Sequence, residues 1–158
     1  MWARLATLAC LTVLPAALPS AAGARSLTIQ VTSVTVSIVP HDVAPKGASK
    51  GDTVTYRDKL LNAASQFGHQ KGAVVGSDVG TMTFTSRNTA TYRGTTTLPG
   101  GTLTLKDRVT ALANGGLVIP VAAGTGTFAK ARGTLTVAPG QDHVLNTYEL
   151  AFSALPVA

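Results

Sequence analysis

Two aspartates stand where a carboxyl group could do acid–base work. Asp58 lies in the run Val54 to Leu60, in phase with Val54, Tyr56 and Leu60. Alternate residues of a strand share a face. With that face inward, the carboxylate enters an apolar interior, where desolvation raises its pKa toward the range of a working acid or base. With the pleat reversed, it pairs on the surface with Arg57 or a neighbouring strand. Asp42 lies in a loop rich in Pro, Gly and Lys, Pro40 to Gly51. There an acid at the mouth of a pocket reaches a ligand, or it serves the turn, as loop aspartates usually do. Asp58 and Asp42 are the catalytic candidates.

The binding candidates are Tyr56, Tyr92, Tyr148, Asp107 and Arg132. A tyrosine facing a lumen offers apolar area and one oriented donor, although the same residue type also serves in ordinary cores. Asp107 shares its phase with Leu103, Leu105, Val109 and Ala111 and is flanked by Lys106 and Arg108. Arg132 either ties a turn to a strand end or faces an oxygen of a ligand.

Other chemistry is poorly supplied. The one Cys, Cys10, falls in an apparent export segment, so the exported chain offers no thiol nucleophile, disulfide or thiolate ligand. His41, His69 and His143 lack the close spacing of a zinc site, and no metal is expected. In Gly76-Ser77-Asp78-Val79-Gly80 the Ser stands one position too early for a nucleophile elbow. Gly124-Thr125-Gly126 has neither the third glycine nor the following helix of a dinucleotide fingerprint.

The chain has 158 residues, with 13 Lys and Arg against 7 Asp and Glu. Met1 to Arg4, the apolar Leu5 to Leu18 and the small residues Ala22-Gly23-Ala24 read as a signal peptide cleaved near Ala24. Its apolar run is too short to span a membrane. Secretion of a single domain, residues 25–158, is the expectation. Without Arg4, 12 basic residues remain against the 7 acidic, scattered along the chain rather than in a block. Nucleic-acid binders cluster such charges and interleave aromatic residues, so no nucleic acid is expected as partner.

The elements that must position these residues are strands. Thr occurs 21 times after residue 24, and β-branching favours strands over helices. Apolar–polar alternation predicts eight strands, over residues 27–39, 52–61, 74–85, 89–98, 102–112, 117–122, 133–137 and 144–152. Asn62 to Gly72 is the stretch suited to a helical turn. Gly-Thr-x-Thr-apolar recurs from Gly80, Gly94, Gly101, Gly124 and Gly133 at irregular intervals, which reads as similar strand openings rather than structural repeats. Eight antiparallel strands leave no edges if they close. The expected fold is all-β, a single eight-stranded antiparallel β-barrel, either filled by side chains or holding one small ligand.

Four groups of residues appear in an order that resembles the allene oxide cyclase and dirigent families. They are Gly51-Asp52-Thr53-Val54 with Lys59-Leu60, Gly72 with Gly76 to Gly80, Gly101 to Thr104, and Gly124 to Phe128 with Ala131-Arg132-Gly133. The resemblance runs from about residue 48 to 152. It implies an eight-stranded barrel that acts on apolar, often oxygenated molecules by fixing a conformation during ring closure or radical coupling, with no cofactor. It implies a frequent dimer or trimer, although no segment identifies the interface. In the cyclases a first-strand Glu and a second-strand Asn serve the site. Here the first strand has no acid, which argues against allene oxide cyclase activity itself, and the second-strand position matches Asp58. The His-Asp pair of dirigent proteins resembles His41-Asp42. The expected function is binding of a small apolar or phenolic molecule and steering of its cyclisation or stereoselective coupling. The alternatives are a barrel that binds without turnover, or a surface protein whose basic face meets acidic polymers.

Overall fold

The computed structural model describes residues 25–46, 49–140 and 143–152. The expected export segment, with Cys10 and the cleavage position after Ala24, lies outside them. Nine strands follow in chain order: β1 (Arg25–His41), β2 (Thr53–Asn62), β3 (Val74–Ser86), β4 (Thr89–Leu98), β5 (Gly101–Arg108), β6 (Thr110–Ala111), β7 (Leu117–Gly124), β8 (Ala131–Pro139) and β9 (Val144–Phe152). All pairings are antiparallel, in the order β5-β4-β3-β2-β1-β9-β8-β7-β6, and β5 also pairs with β7. That last pairing joins Leu103 to Gly124 and Leu105 to Val121 and closes an eight-stranded barrel. The two-residue β6 hangs on β7 outside the ring.

Alternation decides what fills the interior. Ile29, Val31, Leu60, Leu103, Leu105, Ile119, Leu135, Tyr148 and Leu150 are buried at every second position of their strands. Fully burying one such side chain contributes roughly 1.5–3 kcal/mol. Phe128, on a 3-10 turn at Gly126–Phe128, is buried with Leu98, Leu103 and Ala131 and plugs one end of the barrel. Gly101 and Gly126 let the β4–β5 turn and this 3-10 turn meet backbone to backbone, because a Cβ on either would overlap a carbonyl of the other segment.

Three local expectations give way. The predicted fifth strand breaks into β5 and β6 at Val109, two residues after Asp107, whose φ is 139°. Asn62 to Gly72 holds no helical turn. The Asn62 side-chain amide donates to the carbonyls of Gln66 and His69, and Gln66 exchanges hydrogen bonds with the Gln30 backbone, which holds the segment as a pinned loop. Of the five Gly-Thr repeats, those from Gly80, Gly94 and Gly133 lie inside strands, and the one from Gly124 ends β7 and forms the 3-10 turn.

Candidate functional site

The end of the barrel opposite Phe128 is hollow. A cavity of about 180 Å³ lies there, with Ser33, Thr35, Tyr56, Asp58, Asp78 and Asn146 among its polar lining and Met82, Ile119 and Leu135 among its apolar lining. Strand register explains why the polar groups gather. Thr35 on β1 pairs with Asp58 on β2, and Asp58 pairs with Asp78 on β3. All three side chains therefore point the same way across three adjacent strands. Side chains directly opposite in such a pair have Cβ atoms roughly 4.5–5.5 Å apart. Two carboxyl groups thus face one another at the wall of an otherwise largely apolar space.

Asp78 is the deeper of the two. The Thr96 hydroxyl donates to its Oδ1 at 3.3 Å and the Tyr92 hydroxyl to its Oδ2 at 3.4 Å. Thr96 also shares a hydrogen bond of 3.0 Å with the Tyr148 hydroxyl. Burial, and then the neighbouring charge of Asp58, push the Asp78 carboxyl up to about 6, against the lowering effect of its hydroxyl donors. Asp58 is also raised by burial, partly offset by its hydrogen bond with Thr35. Its Oδ1 is buried and finds no hydrogen-bond partner among the described residues, and the same holds for Asn146 Oδ1. The Asn146 amide nitrogen donates to Ser33 Oγ at 2.6 Å.

Two like carboxyls this close cannot both ionise cheaply, so the pair holds one proton over a pH range that a lone Asp would not. The three tyrosines of the region stay protonated. Burial and the nearby carboxylates raise Tyr56, Tyr92 and Tyr148, so each offers a donor rather than a charge.

Tyr92 is held in place from below. Gly80 and Gly94 are register partners on β3 and β4, and the Tyr92 ring lies on the floor they leave. A Cβ on Gly80 would fall within that ring, and one on Gly94 would stand 2.6 Å from its Cε1. The recurring Gly-Thr pattern therefore has a packing purpose at these two positions.

Of the seven candidates from the sequence, Asp58, Tyr56 and Tyr92 line the cavity. Tyr148 lies beneath it, fully buried and tied to Thr96. The other three stand apart. Asp107 follows the inward phase in its sequence, yet its positive φ turns it to solvent, where it accepts from the Arg108 amide at 2.7 Å. Arg132 is exposed and donates to the carbonyl of its own strand neighbour Ala131 at 2.9 Å. Asp42 is exposed in the segment after β1 and is not part of the cavity lining. Asp78, Thr96 and Asn146 are site residues that sequence reasoning missed. One signal was available for Asp78. An acid two residues from a glycine on either side, in phase with Met82 and Phe84, sits on the apolar face of a strand.

No family model and no curated protein matches the chain. Solved structures do. A pyocyanin demethylase superposes with a TM-score of 0.65 at 23% identity, covering 78% of this chain and 99% of its own. An exo-specific intermolecular Diels–Alderase superposes at 0.66 and 12% identity, covering 82% and 98%. A pterocarpan synthase dirigent protein does so at 0.57 and 18%, covering 85% and 89%. The eight-stranded antiparallel barrel of this chain is thus the fold found in a dirigent protein and in a Diels–Alderase.

Proposed function

We propose that the barrel binds a small, largely apolar or phenolic molecule against the Asp58–Asp78 pair and steers its ring closure or coupling. The observation that carries this is the carboxyl pair itself, two aspartates in register at the wall of a largely apolar cavity, one of them raised to about 6. The shared fold of a Diels–Alderase and a dirigent protein supports the same reading. Size narrows the ligand. A cavity of about 150 Å³ accepts benzene, so the roughly 180 Å³ here takes one ring, and the remainder of a larger molecule passes out through the mouth.

Asp58 is the group that meets the ligand, because its Oδ1 is uncommitted, whereas both oxygens of Asp78 receive hydroxyl donors. In a ring closure, the Asp58 carboxylate takes the proton of a phenolic or enolic O–H as that oxygen or its conjugated carbon forms the new bond. The acceptor half of the substrate gains that proton back from the same carboxyl, so the net reaction is an isomerisation. The charge of Asp58 helps to raise Asp78, so Asp78 holds the shared proton and leaves Asp58 as the carboxylate that takes one from the ligand. Restriction of the bound conformer supplies several kcal/mol more. The exported state expected from residues 1–24 belongs to this reading, and N-terminal sequencing of protein recovered from culture medium tests it.

The activity test is a screen of phenols coupled by an added one-electron oxidant, of hydroxy-enones that close by conjugate addition of their O–H, and of diene–dienophile substrates, with product stereochemistry resolved by chiral chromatography. The wild type is expected to shift the product ratio for at least one class, and Asp58→Asn to abolish that shift with a melting temperature no lower than that of the wild type. No shift with any substrate overturns steering. A second reading, a barrel that holds its ligand without turnover, draws on the small cavity volume. It is favoured if native mass spectrometry finds a bound molecule that is released unchanged.

A further inference from the structure

The structure gathers charges that are scattered in the chain. The outward positions of β2 to β5 carry Arg57, Lys59, Arg93, Lys106 and Arg108, all exposed. The one exposed acid on these four strands is Asp107. Asp58 and Asp78 occupy the opposite, inward face, and Asp107 at the rim accepts from a backbone amide. Nearly all remaining outward positions are Thr or Ser, in cross-strand partners such as Thr95 with Thr104 and Thr97 with Thr102. By contrast, β1 and β7 to β9 present outward only Arg132 and Glu149 as charged residues after Arg25.

Register places the cations along a diagonal. Lys59 and Arg57 follow each other on β2, Arg93 lies further across on β4, and its direct partner on β5 is Lys106, with Arg108 beyond. Strands about 4.8 Å apart and outward residues about 6.8 Å apart along each strand make this track about 25 Å long. A shallow depression of about 340 Å³ runs beside Val79, Arg93, Thr95, Thr104 and Lys106, in the middle of the diagonal.

We propose that this face binds an extended acidic polysaccharide, a chain of uronate sugars. Carboxylates repeated along a polymer match a line of cations, and the threonine hydroxyls donate to and accept from sugar hydroxyls. The face has no aromatic side chain on which a nucleobase could stack, which disfavours nucleic acid. Its exposed large apolar residues are Val74 and Val79, five positions apart on β3, too little to enter a bilayer. This surface lies on the opposite side of the sheet wall from the cavity, so the inference stands whether or not the barrel turns over a ligand.

The test is fluorescence anisotropy with labelled oligogalacturonate as probe, at low and at physiological salt. Wild-type protein is expected to bind in both. Arg93→Gln with Lys106→Gln is expected to weaken binding about tenfold, from the loss of two surface ion contacts. A control of equal charge change, Lys71→Gln with Lys130→Gln, both exposed and off this face, is expected to change it less than about twofold, within the spread of peripheral charge effects. Thermal melts of both variants confirm the fold, because none of the four side chains is buried. Equal losses in the two pairs overturn the proposal, since net charge alone would then explain binding. So does binding of oligothymidylate or of phosphatidylglycerol vesicles as tight as that of oligogalacturonate.

Discussion

Replacing Asp78 by Asn is expected to stabilise the protein at high pH and not at low pH. The Asp78 carboxyl is raised from an ordinary value of 3.8 to about 6. A folded-state pKa above the unfolded one means that the native protein binds the proton more tightly, so stability falls as pH rises through the window from about 4 to about 6. The difference corresponds to about 3 kcal/mol withheld from the native state once the group is ionised. Asn carries no charge and escapes that penalty. It also gives something up, since the hydroxyls of Thr96 and Tyr92 both donate to the carboxylate and an amide has one acceptor oxygen. The loss is about 1 kcal/mol, softened because the new amide can donate to the unpartnered Asp58 Oδ1. The net expectation for Asp78→Asn is a gain of about 2 kcal/mol at pH 8 and a loss of about 1 kcal/mol at pH 4. Urea unfolding of both proteins at unit steps from pH 4 to pH 8 measures it. The wild-type carboxyl is neutral at pH 4, like the amide, and ionised at pH 8, so the change between the ends reports its ionisation. A stability difference that stays flat across the series refutes the account of a buried, strained carboxylate, and one that grows more unfavourable with pH reverses its sign.

Gly94→Ala is expected to cost roughly 1–3 kcal/mol by overpacking, because the added methyl meets the Tyr92 ring at 2.6 Å. Combining it with Tyr92→Leu should cost less than the sum of the two single changes in a denaturation cycle. Tyr148→Phe removes the 3.0 Å hydrogen bond to Thr96 and should lower stability by about 1 kcal/mol in the same assay. Asp52 accepts the amides of Val43 at 2.8 Å and Ser49 at 2.6 Å, and these bonds hold its carboxyl below the ordinary range. Asp52→Asn should therefore speed hydrogen exchange at both amides. That difference from wild type should persist at neutral pH and shrink as pH falls through the lowered Asp52 pKa, where the wild-type carboxylate is itself protonated.

Much of the barrel was legible because strand alternation is a local property. All eight predicted strands have counterparts, with β5 and β6 sharing the fifth, and Asp58 shares its phase with Val54, Tyr56 and Leu60, while which face turns inward is left open until the barrel closes. The misses share a cause. The helical turn expected in Asn62 to Gly72 was displaced by side-chain bonds from Asn62 and Gln66 to partners that local sequence does not display. Asp107 kept the right phase in the sequence and left it in space through one positive φ. Asp78 was hidden in a glycine motif that reads as backbone punctuation, and one of those glycines in fact makes room for Tyr92.

The class of the fold lies in local pattern. Threonine-rich alternation, frequent turn residues and a chain of one-domain size leave a small closed β-structure as the simplest way to bury the apolar face and pair every long edge. Tertiary structure alone decided the chemistry. Residues 20 apart in the chain, Asp58 and Asp78, become a proton-sharing pair only because β2 and β3 align them, and cations spread over 52 residues, from Arg57 to Arg108, become one face only because four strands lie side by side. Electrostatic coupling and desolvation depend on distance and burial in space, and both quantities are set by which strands pair, in which register, rather than by any run of residues within one strand.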